Sequence, residues 1–317
     1  MSQPFHVVDA FTDRPFAGNP AAVCVMPAGA REDEAWMRLC AREMNLSETA
    51  FVFPISPDEA QGEAQHEAHD DGADAYKLRW FTPAVEVELC GHATIASAHV
   101  LWQTGRAAPD RRLRFLTKSG WLGARRADGG VIDLDFPTRL SEPAAPLPGL
   151  ERIIGAPIRS LVRHNQDYLA ELADESTVRA LTPDHTALAR APLRMLTVTA
   201  RASAPGAGSA HASSDSDAPD FVSRVFAPGS GISEDPVTGS AHCALAPYWA
   251  ERLGKPDLVG HQASARGGTV RVRLRGERVW LGGRAVTISR GETLSAQDLA
   301  HLLSDPLAHL GGKTEGR

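Results

Sequence analysis

Two stretches of this chain are built alike, and that repetition limits the folds open to it. Phe81-Thr-Pro-Ala-Val-Glu-Val-Glu-Leu-Cys-Gly-His-Ala-Thr-Ile-Ala-Ser-Ala98 and Phe226-Ala-Pro-Gly-Ser-Gly-Ile-Ser-Glu-Asp-Pro-Val-Thr-Gly-Ser-Ala-His-Cys243 share one order. Each reads as a strand end, a Pro-led turn, a polar step and a helix of small residues. They align without a gap at an offset of 145 (226 − 81), which sets Phe81 on Phe226, Pro83 on Pro228, Ala96 on Ala241 and Cys90 on Asp235. A second echo, Ser119 to Val131 against Gly267 to Val279, follows at an offset of 148 (267 − 119). Two echoes in one order point to a duplicated chain with two similar halves.

Strand signals dominate the rest. Phe5-His-Val-Val-Asp-Ala-Phe11, Ala21 to Met26, Ala50 to Phe53, Tyr76 to Phe81, Leu113 to Leu134, Leu193 to Thr199, Phe221 to Phe226, Thr269 to Leu281 and Ala285 to Ser289 are rich in β-branched and aromatic residues. Residues 31–44 carry apolar groups at helical spacing, and Val178 to His185 reads as a short helix with its stop. Residues 56–75 and 201–219 read as polar loops, 294–310 as a final helix broken near Pro306, and 311–317 as a tail. The expectation is an α+β protein of two similar lobes, residues 1–136 and 137–298, with 299–317 as a C-terminal helix and tail packing back on the first lobe. The cleft between two such lobes is where small-ligand chemistry is expected.

Composition narrows the function. Of 317 residues, 43% are hydrophobic and 23% charged, and the formal net charge is −6 with the arginines scattered among carboxylates, so a nucleic-acid partner is not expected. No apolar run reaches the roughly 20 residues that cross a bilayer, and the first residues lack the order of a secretory signal, so a cytoplasmic protein is expected. Cys24, Cys40, Cys90 and Cys243 are too irregularly spaced for a zinc or disulfide framework. His242-Cys243 beside Cys90-x-His92 is a poor match to ligand spacing, and no metal is expected.

Four motifs, in order, carry a resemblance: Gly18-Asn-Pro20, Asn45-Leu-Ser-Glu-Thr49, Cys90-Gly-His-Ala-Thr94 and Glu234-Asp-Pro-Val-Thr-Gly-Ser-Ala241. Together, with matches running from Val8 to about Val286, they resemble the signature of the PhzF-like (phenazine biosynthesis PhzF) family. The resemblance implies a diaminopimelate epimerase-like fold, each lobe a mixed sheet around a central helix. It implies a homodimeric isomerase that moves a proton without metal or cofactor. Carried over residue by residue, it makes Glu48 the acid/base group and sets His92, Asp235 and Ser240 in the cleft, with Asn19 in a loop that contacts substrate.

The residues support that chemistry on their own terms. Gly91-His92 and Gly239-Ser240 each open a helix, so their N–H groups can receive a substrate carboxylate. A fixed donor to developing charge is worth about 3–4 kcal/mol, and a general acid/base about 10²–10⁴-fold. Burial of Glu48 in a closed cleft is expected to disfavour its charged form. The expected function is a cofactor-independent isomerase acting on a small carboxylate-bearing metabolite. Two alternatives stand beside it: an epimerase or racemase using Cys90, and a non-catalytic metabolite-binding or protein-interaction module.

Overall fold

The computed structural model describes residues 2–55, 73–203, 218–295 and 298. The expected final helix, the tail and most of the loops at 56–75 and 201–219 lie outside these residues. The first half holds β1 (Gln3–Ala10), β2 (Asn19–Val25), β3 (Glu48–Pro54), β4 (Ala73–Phe81), β5 (Glu86–Val87), β6 (Arg112–Thr117), β7 (Gly120–Arg126), β8 (Ile132–Pro137) and β9 (Glu142–Pro143). The second holds β10 (Ser160–His164), β11 (Asp167–Glu171), β12 (Met195–Arg201), β13 (Phe221–Ala227), β14 (Ile232–Asp235), β15 (Asp257–Gln262), β16 (Gly268–Arg275), β17 (Arg278–Gly283) and β18 (Ala285–Thr293).

The pairing of the first half recurs nine strands later. β1–β2 is antiparallel, β2–β3 parallel, β3–β4 antiparallel, β4–β6 parallel, and β6–β7–β8 antiparallel. β10–β11, β11–β12, β12–β13, β13–β15 and β15–β16–β17 repeat that sequence of directions. The halves also trade edges: β9 pairs with β10, and β18 pairs with β1 from Gln3↔Thr293 to Ala10↔Ala285. The equivalent strands β8 and β17 pair with each other and seam the halves together. These pairings make the two-lobed α+β architecture a property of the backbone.

Among the described residues, six α-helices accompany the strands: α1 (Glu34–Met44), α2 (Gly91–Gln103), α3 (Leu150–Ile154), α4 (Glu175–Ala180), α5 (His185–Leu188) and α6 (Gly239–Leu253). α2 and α6 occupy the inside of the two sheets, and both are built from small residues that are buried on nearly every side. The strands around them alternate as a two-sided sheet must. Ala21, Val23 and Val25 of β2, with Ala50 and Val52 of β3, face the inner core. Cys24, Phe51 and Phe53 face outward and are covered by Trp36, Met37, Cys40 and Ala41 of α1. The second half is covered by α3, α4 and α5 in the same way, through Leu150, Ile154, Val178 and Leu188. The short helix and stop expected within 178–185 are found as α4, which starts earlier, at Glu175, and ends at Ala180 ahead of Pro183; α5 opens after it at His185. No helix among the described residues is long and apolar enough to cross a membrane.

The helix starts correct the internal alignment. α2 begins at Gly91 and α6 at Gly239, which is 148 residues on (239 − 91). The strand pairs agree, since Trp80↔Val87 in β4–β5 is matched by Val225↔Asp235 in β13–β14. The second unit is longer by three residues because its turn winds through a short 3₁₀ segment, Pro228–Ser230, closed by Gly231 at φ 75°. The residue that mirrors Cys90 is therefore Thr238, each being the N-cap of its helix, and Asp235 mirrors Val87 rather than Cys90.

Candidate active site

Chain geometry brings four distant segments together. α1 is capped at its start by Asp33, whose Oδ1 accepts from Trp36 N–H at 3.0 Å, and ends on Asn45 in the left-handed conformation. That ending turns the chain into β3, whose first residue is Glu48. Asn19 is the first residue of β2, beside β3, and Ala21 pairs with Glu48. His92 is the second residue of α2 and Asp235 the last of β14.

Asn19 is fully buried and joins the lobes. Its Nδ2 donates to Asp235 Oδ1 at 2.8 Å and to the Val237 carbonyl at 2.9 Å. These acceptors use both of its hydrogens. His92 Nδ1, 3.2 Å from the same nitrogen, is thus free to donate to Cys90 Sγ at 3.5 Å. On the other side of the ring, Nε2 lies 3.1 Å from Glu48 Oε2. The pair is at ion-pair distance but off the hydrogen-bond line, and neither atom has another partner among the described residues. The Glu48 side chain keeps 12% of its surface exposed, against 5% for that of His92.

Burial and neighbours set the charges. Burial alone would lower the pKa of His92; the Cys90 sulfur and the Glu48 carboxylate hold it well above the ordinary value of 6.5. Burial, then Glu48, push the Cys90 thiol up to about 11, so at neutral pH it keeps its proton. Burial lifts Asp235 to about 6, against the pull of His92 and of hydrogen bonds from Thr238 and Asn19. The arrangement is an imidazolium beside one buried carboxyl that titrates near neutrality and a second, Glu48, that is only slightly exposed.

Thr238 and Gln262 complete the cluster. Thr238 leaves its helix uncapped and donates its hydroxyl to Asp235 Oδ2. Gln262, fully buried at the end of β15, accepts from Thr238 N–H at 2.9 Å and donates to the Asp235 carbonyl at 2.7 Å. Neither was among the residues expected from sequence. A glutamine closing the otherwise apolar edge Leu258-Val-Gly260 was the available signal for one of them.

Gly91 and Gly239 stand back to back: a Cβ on Gly91 would sit 3.2 Å from the Gly239 Cα, and one on Gly239 3.1 Å from the Gly91 Cα. Only glycine lets the two helix starts approach so closely. Ser240 is not part of the Asn19–His92–Asp235 network among the described residues; it lines a small cavity with Arg139, Asp167 and Met195. It mirrors His92, as the second residue of its helix.

Glu48, Cys90 and His92 offer ligand atoms within 4.8 Å of one another and can hold a metal ion once both the thiol and the His92 imidazolium give up a proton. The other residues weighed for metal lie elsewhere. His242 Nδ1 donates to the Thr238 carbonyl at 2.8 Å, and burial lowers its pKa to about 4; Cys243 faces the Gly239 carbonyl.

Known proteins match both sequence and structure. A family model described as phenazine biosynthesis-like protein matches residues 8–291. An uncharacterized isomerase of Halalkalibacterium halodurans is 43% identical over 296 residues, covering 93% of this chain and 99% of its own. A crystal structure of a phenazine biosynthesis protein of the PhzF family from Enterococcus faecalis superposes with a TM-score of 0.77 at 38% identity, covering 93% of this chain and 100% of that one. A hydroxyproline epimerase from Agrobacterium vitis, at 14% identity with 92% of each chain covered, shares the fold with a TM-score of 0.54. The fold is the diaminopimelate epimerase-like one.

Proposed function

This chain belongs to the phenazine biosynthesis-like (PhzF-like) family, and from that premise we propose that it is an isomerase that moves a carbon-bound proton on a small carboxylate-bearing substrate. Glu48 takes the proton from one carbon and returns it to another. The observation that carries this reading is the placement of Glu48: 3.1 Å from the His92 imidazole and still partly open to solvent, beside a buried Asp235. A carbon acid loses its proton only if the charge left behind is met by fixed partners. His92 supplies a positive charge at that point, and the starts of α2 and α6 supply N–H groups for the substrate carboxylate. Asn19, Thr238 and Gln262 hold Asp235 in place. This chemistry needs proton donors and acceptors alone, so neither metal nor organic cofactor takes a step in it.

Incubation of candidate substrates in D₂O tests the reading. Deuterium should enter at carbon with the protein and fall by roughly 10²–10⁴-fold with Glu48→Gln. Undiminished exchange in that variant would remove Glu48 from its role.

One observation favours a second reading. Cys90 Sγ lies 3.5 Å from His92 Nδ1, a thiol–imidazole contact that an epimerase could use. The mirrored N-cap holds Thr238, which leaves no second thiol for the opposite face. Full activity in Cys90→Ala eliminates this reading. A binding module without turnover would hold the same ligands and show no exchange at all.

A further inference from the structure

A cavity of about 540 Å³ is lined by residues other than those of the acid cluster. Its wall includes Arg14, Arg179, Arg266, Arg271, Arg284 and His261, with Asp13 as the one carboxylate among the described residues that line it. Asn19, Glu48, Cys90, His92, Asp235 and Ser240 do not line it. The space is within the range that encloses a small metabolite.

The wall is held in position by its own bonds. Arg266 donates to Asp9 Oδ1 at 2.7 Å, to the Ala17 carbonyl at 2.9 Å and to the Gly18 carbonyl at 2.8 Å. Arg284 donates to Asp13 Oδ2 at 2.9 Å and to the Gly129 carbonyl at 3.0 Å. The loop between these clamps begins and ends on left-handed phenylalanines, Phe11 at φ 62° and Phe16 at φ 64°, a conformation that bulky residues adopt only under constraint. Asp9 Oδ2 accepts from Phe16 N–H at 2.7 Å and fixes the second of them.

Guanidinium groups gathered around one concave surface repel one another unless anions are interleaved. Arg266, Arg284 and Arg179 have carboxylate partners in Asp9, Asp13 and Glu175; Arg14 has none among the described residues. Planar guanidinium forks match phosphate and carboxylate oxygens in pairs. We propose that this cavity binds a small metabolite carrying at least two negative charges as phosphate or carboxylate. The site also touches the chemistry at one remove. Arg266 grips the carbonyls of the two residues that precede Asn19, so a ligand that engages Arg266 acts on the segment that delivers Asn19 to Asp235.

Calorimetric titration of the protein with inorganic pyrophosphate and, separately, with citrate tests this at about 50 and about 500 mM salt. At least one probe should bind saturably at one site and weaken roughly ten-fold at the higher salt. Arg14→Ala should weaken it roughly ten-fold more, as the loss of one charge-assisted contact predicts. Arg163→Ala, an exposed arginine outside the cavity, should leave it unchanged. Pyrophosphate binding alone assigns phosphate, and citrate binding alone assigns carboxylate. Binding of neither probe, or binding undiminished in both Arg14→Ala and Arg271→Ala, overturns the site. The readout needs no turnover, so its failure is separate from a failure of the proton-transfer reading.

Discussion

Asn19 and Asp235, 216 positions apart, meet through a 2.8 Å hydrogen bond inside the protein. The bond couples the position of a carboxyl group in one half to the first residue of a strand in the other. Asn19→Ala leaves Asp235 Oδ1 and the Val237 carbonyl without a donor. Each orphaned buried group costs about 1–3 kcal/mol. Chemical denaturation should therefore show a loss of about 2–4 kcal/mol. A loss below about 0.5 kcal/mol would mean that water replaces the bond readily.

Asp235 makes stability depend on pH. Its carboxyl titrates at about 6 in the folded chain against 3.8 ordinarily. The folded state therefore binds the extra proton between these values. The resulting stabilisation is fully present below about 4 and is lost as pH rises through about 6. Asp235→Asn removes the term. Between pH 5 and pH 8 the difference in unfolding free energy should move in favour of the variant by on the order of 1–2 kcal/mol. Parallel pH profiles for parent and variant contradict the assignment.

Gln262→Leu tests the brace behind the site. The substitution leaves Thr238 N–H and the Asp235 carbonyl unpaired, again about 1–3 kcal/mol each. Activity should fall alongside stability, because Asp235 and Thr238 lose the side chain that ties them together. A variant with parental kinetics shows that Thr238 and Asn19 suffice.

Gly91→Ala separates position from stability. Its Cβ meets the Gly239 backbone at 3.2 Å, so the two helix starts must part by a few tenths of an ångström. Thermal stability should change by less than about 1 kcal/mol, since alanine suits a helix better than glycine. The N–H groups of both helices shift together, and kcat/KM should drop by roughly ten-fold or more. Unchanged kcat/KM would show that the spacing of the helices is not part of the chemistry.

Much of this was legible in the sequence, for physical reasons that differ by residue. The two turn–helix units carry their own punctuation in Pro83, Gly91, Pro228 and Gly239, so the lobes and their central helices could be read locally. Glu48 and Asn19 carry no such local mark. Each opens a strand after a loop, and only the motifs around them singled them out. The equivalence of Cys90 and Asp235 failed because a gapless alignment cannot register the three residues that the 3₁₀ turn at Pro228–Ser230 adds. Gln262 was missed because its role depends on the parallel pairing of β15 with β13, a contact across about 40 residues that no local pattern encodes. Ser240 was set in the cleft by the resemblance alone; in the structure it lines a small cavity together with Arg139 and Asp167.

The exchange of edge strands has a consequence for synthesis. β1 is translated well before its partner β18, which runs from Ala285 to Thr293. β1 therefore lacks that neighbour until β18 has been translated. An open edge of that kind is a template for pairing with other nascent chains. In this architecture the closing stitch of the earlier-made half is supplied by the later-made half, so truncation near Ala285 strikes the sheet edge at β1.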